Sequence, residues 1–221
     1  MTWALVFLAL IMALVIGYLL SQTINRQPWL ADDPLENRPS GMPQSILPSK
    51  LGLGVLLAVI TSMFGLFFSA YVQRMELADW SRVQEPSVLW INTVVLVLAS
   101  IAMNQALRGA RRDDVRATRR ALIAAGVLSF AFLVGQLVAW GQLRDAGFYM
   151  RGNPAAAFFY LLTAIHGIHL VGGLWVWART SNRLRGVDKV GEFRLSVELC
   201  TVYWHFLLLV WLFLFALLLN T

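Results

Sequence analysis

The sequence predicts an all-α polytopic membrane protein with six transmembrane helices. Hydrophobic residues make up 58% of the 221 residues, charged residues only 14%, and the mean hydropathy is +0.66. This apolar share lies well above that of an ordinary soluble domain. Stretches of about 20 apolar residues, the length that crosses a bilayer core, recur six times along the chain. The six windows are residues 3–20, 51–72, 88–107, 121–140, 155–178 and 199–219.

The first window is interpreted as a retained membrane helix. It has no basic residue before it and no small-x-small cleavage pattern after it, as a signal peptide would have. A polar segment containing several prolines follows it. We therefore predict an N-terminal transmembrane helix over residues 1–20, a polar linker over 21–48, and a five-helix domain over 49–221.

The other five windows are separated by short polar connections that carry arginines. None of the six windows contains Asp, Glu, Lys or Arg. Ion-coupled transporters commonly place such residues inside their helices, so this class is disfavoured. The titratable side chains expected to become charged at membrane depth are therefore His166, His169 and His205.

The basic residues predict the orientation of the helices. Of the 18 Lys and Arg residues, 14 lie in the connections after the first, third and fifth helices. The positive-inside rule makes these connections cytoplasmic and puts both termini on the outer side. The net charge of +6 then reflects anchoring at the lipid surface rather than nucleic-acid binding, because the most basic segment lies between two spans.

The histidines are the candidate functional side chains. On a helix, His166 and His169 lie about 60° apart and share a face with Gly173. Such a face lets another helix approach closely, while the imidazoles hydrogen-bond across the contact. His205 is predicted near the cytoplasmic start of the last helix.

A haem site would need histidines on two facing helices, because two residues three apart on one helix cannot hold a haem from both sides. His205 would have to pair with His166 or His169. Cys200 is the single cysteine, so neither an internal disulfide nor the ligand set of a two-copper centre is available. The simpler interpretation is that neighbouring helices or lipid headgroups satisfy the histidines.

Four segments resemble subunit III of the haem-copper oxidases. FFYLLTAIHGIHLVGGLWVW is similar to the family's His-Gly-x-His-x-x-x-Gly helix, and VYWHFLLLVWLFLF to its last helix. LWINTVVLVLASIAMNQA resembles its Trp-x-Asn-Thr helix, and FLVGQLVAW its Gly-Gln-x-x-Glu-Trp helix. The segments occur in the family's order between about residues 51 and 219.

The resemblance implies a fold with a V-shaped cleft that holds ordered phospholipid. It also implies a non-catalytic accessory subunit of a bacterial respiratory terminal oxidase in the inner (plasma) membrane. Subunit I would be the main partner, with subunit II and small subunits beside it. Haem and copper would lie in partner subunits, with no metal or cofactor other than phospholipid in this chain. An accessory subunit of a nitric oxide reductase and a subunit that itself binds a b-type haem are the alternatives.

Three positions depart from the family pattern. Met63 and Ala139 stand where the family commonly has Glu, and Leu208 stands where it commonly has Asp. An acid at the centre of a membrane helix costs about 2.5–3.5 kcal/mol on insertion scales. Any role that depends on these acids, such as support of proton uptake by the catalytic subunit, is therefore in doubt for this chain.

The predicted sites are lipid-binding or helix-packing sites. Arg179 and Arg183 follow the histidine-bearing window on the predicted cytoplasmic side, where they could meet lipid phosphates or serve as solvated topology anchors. Most of the segment 165–173 is expected to be buried against protein or ordered lipid, with no metal bound to its histidines. The full set is His166, His169, Gly173, Trp204, His205, Arg179 and Arg183.

Overall fold

Five α-helices account for nearly all of the described part of the chain. The computed structural model describes residues 46–80, 86–150, 152–184 and 193–219. Each helix is long and apolar enough to cross a bilayer, which confirms the all-α class and five of the six predicted spans. The window 3–20 and most of the linker lie outside the described residues. The helices are α1 (Ile46–Met75), α2 (Val88–Arg111), α3 (Val115–Asp145), α4 (Pro154–Arg183) and α5 (Arg194–Leu219).

The chain divides between Gln73 and Arg74 into two compact units. The first unit contains nearly all of α1, in which Thr61 Oγ1 donates to the Leu57 carbonyl at 2.8 Å. This bond satisfies the hydroxyl within its own helix, as a membrane interior requires. The second unit contains α2 to α5. The V-shaped cleft and the domain boundary at residue 48 stay predictions.

The four helices of the second unit form a bundle. α3 packs against α2 and α4, and α5 packs against α2 and α4. Buried side chains recur along one face of each helix, while large apolar side chains such as Ile91, Phe130 and Ile168 are exposed on the outer faces. This distribution is the one expected of a bundle whose outer surface meets lipid or other membrane subunits.

A tight turn joins α2 to α3. The Asp114 N–H donates to the Gly109 carbonyl at 3.0 Å, and Asp113 has a φ of 57°. The Asp114 carboxylate caps α3 by accepting from the Ala117 N–H at 2.9 Å. A Cβ on Gly109 would lie 2.8 Å from Thr118 Oγ1. Glycine is therefore required here because the start of α3 passes directly over the end of α2.

The helices extend beyond the predicted windows. Because of the Asp114 cap, α3 begins six residues before its window and includes Arg119 in its early turns. α4 ends at Arg183, so Arg179 and Arg183 lie inside the helix and not just past it. α5 begins at Arg194, which places His205 near the middle of the helix and not near its start. Hydropathy windows stop at the first charge, whereas helical hydrogen bonds continue into the interface.

Gly126 of α3 provides the space for Trp177 of α4. An added Cβ on Gly126 would lie 2.2 Å from Trp177 Cζ2. The indole N–H donates to the Leu122 carbonyl at 2.8 Å, so the ring is held in place and cannot move aside freely. Close approach at small residues is the usual basis of helix association in membranes.

Replacing Gly126 with alanine is therefore expected to destabilise the bundle by about 1–3 kcal/mol, the usual cost of overpacking. Gly141 provides the matched control, because a Cβ there meets nothing within 4 Å and it lies on the same helix. The measurement is the unfolding of purified Gly126→Ala and Gly141→Ala chains in mixed micelles. Equal stability of the two variants would contradict the role of the Gly126–Trp177 contact.

Candidate functional site

A layer of buried and half-buried polar side chains crosses the four-helix bundle at one level. We define the polar layer as Asn92 and Thr93 of α2, Gln136 of α3 and His166 of α4, enclosed by Phe132 and Trp211. The Trp140–Thr163 hydrogen bond of 3.0 Å lies on one side of this level, and the approach of Leu133 to Gly167 lies on the other. Because α3 and α4 run antiparallel, these contacts place Gln136 and His166 opposite each other.

Asn92 joins α2 to α3 within the polar layer. Its Nδ2 lies 3.3 Å from the Phe132 carbonyl and 3.5 Å from Gln136 Oε1. An added Cβ on Gly135 would lie 1.9 Å from Asn92 Oδ1, so glycine is needed for the amide to reach α3. A buried amide that bonds across two helices fixes their register, because a shift would leave polar atoms unpaired.

His166 lies wholly inside the bundle with 0% of its surface exposed. Its ring centroid is 5.8 Å from that of Phe132 and 5.3 Å from that of Trp211. Neither ring nitrogen has a hydrogen-bond partner among the described residues, and the same is true of Gln136 Nε2. Buried polar atoms of this kind are usually satisfied by ordered water.

Trp211 closes the polar layer from α5. Its indole N–H donates to Thr93 Oγ1 at 3.0 Å, and its ring meets Phe132 edge-on at a centroid distance of 4.8 Å. Together with the contact to His166, Trp211 therefore touches all three of the other helices in the bundle. Large aromatic side chains with a satisfied N–H contribute strongly to packing in such positions.

A second set of contacts joins α5 to α4 and to α3 at the predicted motif residues. A Cβ on Gly173 would lie 2.8 Å from the Tyr203 ring and 3.3 Å from the Trp204 ring. The Tyr203 hydroxyl donates to the His169 carbonyl at 3.0 Å, and the Trp204 N–H donates to Ser129 Oγ at 2.9 Å. These contacts give Gly173 and Trp204 helix-packing positions.

The other two histidines lie in different surroundings. His169 is half-buried, and its Nδ1 lies 2.8 Å from the Ile165 carbonyl. His205 is exposed on α5, with its Nδ1 2.8 Å from the Thr201 carbonyl. Both imidazoles therefore bond within their own helices. Across the segment 165–173, the residues buried within this chain are His166, Leu170 and Gly173.

The predicted arginines lie on the outer surface of α4. Arg179 is exposed, and its guanidinium carbon lies 5.3 Å from the centroid of the Trp175 ring. This cation–π contact joins two residues four apart on the helix. Arg183 is exposed at the last position of the helix. The two side chains are therefore accessible to lipid or to another subunit.

Apolar side chains occupy the three positions where the resemblance would place acids. Ala139 has 0% exposure, while Met63 and Leu208 are half-buried. Among the described residues, no three His, Cys, Asp or Glu side chains gather as a metal site. Cys200 is buried, with its sulfur 3.8 Å from Thr180 Oγ1. Among the described residues of the second unit, no Asp or Glu side chain pairs with His166 in the polar layer.

The prediction of site residues omitted Asn92, Gln136, Ser129 and Trp177, although each makes a contact between helices. A usable signal was available, because polar side chains inside an apolar window are costly unless they find partners. The pairing of Gly126 with Trp177 and of Gly135 with Asn92 could not be read from the sequence, since each pair joins distant segments.

Comparison with known proteins identifies the family. Residues 2–220 match the family described as cytochrome c oxidase subunit III. The chain is 30% identical to cytochrome c oxidase subunit 3 of Thermostichus vulcanus over 173 residues, which are 76% of this chain and 85% of that protein. It is 26% identical to cytochrome c oxidase subunit 3 of Mycosarcoma maydis, over 92% of this chain and 78% of that protein.

A further relative is a probable cytochrome c oxidase subunit 3 of Mycobacterium bovis, 28% identical over 56% of this chain and 61% of that protein. The family match covers all five described helices and therefore includes the polar layer. It agrees with the resemblance carried by the four segments of the sequence. The chain belongs to the cytochrome c oxidase subunit III family.

Proposed function

We propose that this chain is a non-catalytic accessory subunit of a bacterial haem-copper terminal oxidase, in which it stabilises subunit I and binds structural phospholipid. The single observation that carries the proposal is the family match over residues 2–220. The haem and copper of the reaction belong to partner subunits in this proposal. The chain's own residues supply a packed membrane bundle and surfaces for neighbouring subunits and lipid.

The interior of the bundle supports a structural role. His166 and Gln136 are buried among aromatic and apolar side chains, and Ala139 and Leu208 of the bundle stand where the resemblance places acids, as Met63 does on α1. A proton path needs groups that exchange protons along its length, and membrane proteins usually supply them as acids and histidines. The described helices offer one buried histidine, His166, which suits tight packing better than proton transfer.

The copurification of partners tests this proposal. A tagged chain extracted in mild detergent is expected to copurify with a subunit that carries haem and copper, identified by mass spectrometry and by a reduced-minus-oxidised spectrum. The separated chain is expected to have no Soret band. A Soret band that persists in the pure chain would contradict the proposal and support the alternative of a b-type haem subunit. A partner that reduces nitric oxide would support the other alternative.

The face of this chain that meets subunit I is expected to be apolar, with small residues at the closest contacts. The predicted windows offer no carboxylate to pair across the interface, so attraction must come from close packing and hydrogen bonds. A structure of the assembled oxidase provides the measurement. A buried salt bridge from one of the predicted windows to subunit I would contradict this prediction.

The proposed location is the bacterial inner membrane, with both termini on the outer side. The support is the distribution of basic residues, since the connections 108–120 and 179–198 hold 11 of the 18 Lys and Arg residues. Cysteine labelling checks this orientation. A cysteine placed in the connection 108–120 is expected to react with a membrane-impermeant reagent only after the cells are opened.

A further inference from the structure

A cavity of about 250 Å³ lies where α3 begins and α4 ends. Arg119, Ser181 and Asn182 supply its polar lining, while Leu122 and Trp177 are part of its apolar wall. We propose that this cavity, named here the Arg119 pocket, binds the phosphodiester headgroup of an anionic phospholipid. The inference deepens the proposed function, on which it rests, by giving the lipid a site.

The polar atoms of the Arg119 pocket suit a phosphate group. Arg119 is exposed and forms no ion pair with any described residue. Its guanidinium can therefore donate two parallel hydrogen bonds to phosphate oxygens. Ser181 lines the pocket, but its Oγ is buried, so the donors open to a ligand are those of Arg119 and Asn182. The Asn182 amide is exposed beside it.

The apolar wall of the pocket is held in place. Trp177 fits against Gly126 and donates its N–H to the Leu122 carbonyl at 2.8 Å, so the indole presents a fixed surface. Ile123 continues this wall on α3 and is 48% exposed. A polar lining followed by an apolar helix surface matches a phospholipid, whose phosphate lies at the interface and whose acyl chains run along the protein. A free phosphate ion would use only the polar lining.

Charge at this end of the bundle also favours an anion. The pocket lies beside the two connections with most of the basic residues. Arg120 adds positive charge on α3, while the nearby Asp114 carboxylate accepts from the Ala117 N–H as the helix cap. Basic residues near the membrane surface attract anionic lipid headgroups.

The pocket also differs from the site predicted from the sequence. Arg179 and Arg183 were expected to meet lipid phosphates. The described residues that line this cavity include neither of them. Arg179 stacks on Trp175, and Arg183 is exposed at the end of α4. The basic residue that faces the cavity comes from α3, which the sequence does not place next to the end of α4.

The test uses the assembled oxidase with Arg119→Gln and with Arg116→Gln as the matched control. Arg116 lies three residues earlier on α3 and is exposed. It is not one of the described residues that line the pocket. Each complex is washed in neutral detergent, and retained phospholipid is counted by mass spectrometry. We expect Arg119→Gln to lose one anionic phospholipid per copy of this chain and Arg116→Gln to retain it.

Equal lipid content in the two variants, whether retained or lost, would overturn the proposal, because the pocket would then hold no specific lipid. Inorganic phosphate added to the delipidated wild-type complex distinguishes the free ion, since tight binding of phosphate alone would also overturn it. A structure of the assembled oxidase in which a side chain of another subunit fills the pocket would also overturn the proposal. None of these outcomes contradicts the proposed accessory role, because copurification tests that role separately.

The wild-type complex gives a second measurement if Arg119→Gln fails to assemble. An anionic phospholipid with a photoreactive group next to its phosphate is incorporated, and the cross-linked peptides are identified. Labelling concentrated at the start of α3 and the end of α4 is expected. Labelling spread evenly over the helix ends would contradict the proposal.

Discussion

Replacing Trp211 with alanine is expected to destabilise the bundle by about 3–5 kcal/mol, the usual cost of removing a buried tryptophan. Trp211 has 0% exposure and contacts Phe132, His166 and Thr93, so its loss opens a cavity between all four helices. Unfolding of the purified chain in mixed micelles, followed by circular dichroism, measures the change. The amount of chain retained in the assembled oxidase is expected to fall with it.

Two controls separate the contributions of Trp211. Trp211→Phe keeps most of the ring but removes the donor to Thr93, whose hydroxyl still donates to the Leu89 carbonyl at 2.8 Å. We expect this variant to cost about 1 kcal/mol, the typical net value of a hydrogen bond. Trp175→Ala removes a tryptophan that is 66% exposed and is expected to have little effect on unfolding. A loss for Trp175→Ala as large as for Trp211→Ala would contradict the importance of the polar layer.

Deleting this chain is expected to leave the initial turnover of the oxidase nearly unchanged while shortening its active lifetime. Met63, Ala139 and Leu208 occupy the positions where acids would support proton uptake, so the loss should act on packing and lipid. Lost packing acts through slow inactivation, which is a rate of structural failure rather than a change in the chemical step. Turnover number and inactivation half-time, with and without the chain, measure the two effects.

The deletion is compared at neutral and alkaline pH, with the chain restored from a plasmid as the control. An immediate fall in proton-coupled turnover that worsens as the pH rises would contradict the prediction. Such a result would mean that proton supply depends on this subunit through groups other than Met63, Ala139 and Leu208. An active lifetime that does not change when the chain is deleted would likewise contradict a stabilising role.

The sequence by itself determined the membrane class, the order of the five described helices and the family. Transfer of apolar side chains into lipid is a sum over neighbouring residues, so a window of about 20 positions contains the information that it needs. The helix ends were less accurate. Asp114 starts α3 before its window, and Arg183 ends α4 beyond its window, because backbone hydrogen bonding continues where hydropathy has already fallen.

Only the tertiary structure decided the surroundings of each candidate side chain. The three histidines have similar apolar neighbours in the sequence, yet His166 is buried, His169 half-buried and His205 exposed. His166 is buried because its face of α4 meets Phe132 of α3 and Trp211 of α5, and these partners come from distant segments. Hydropathy measures how strongly a segment prefers lipid to water, but it does not specify the helix that a given face will meet.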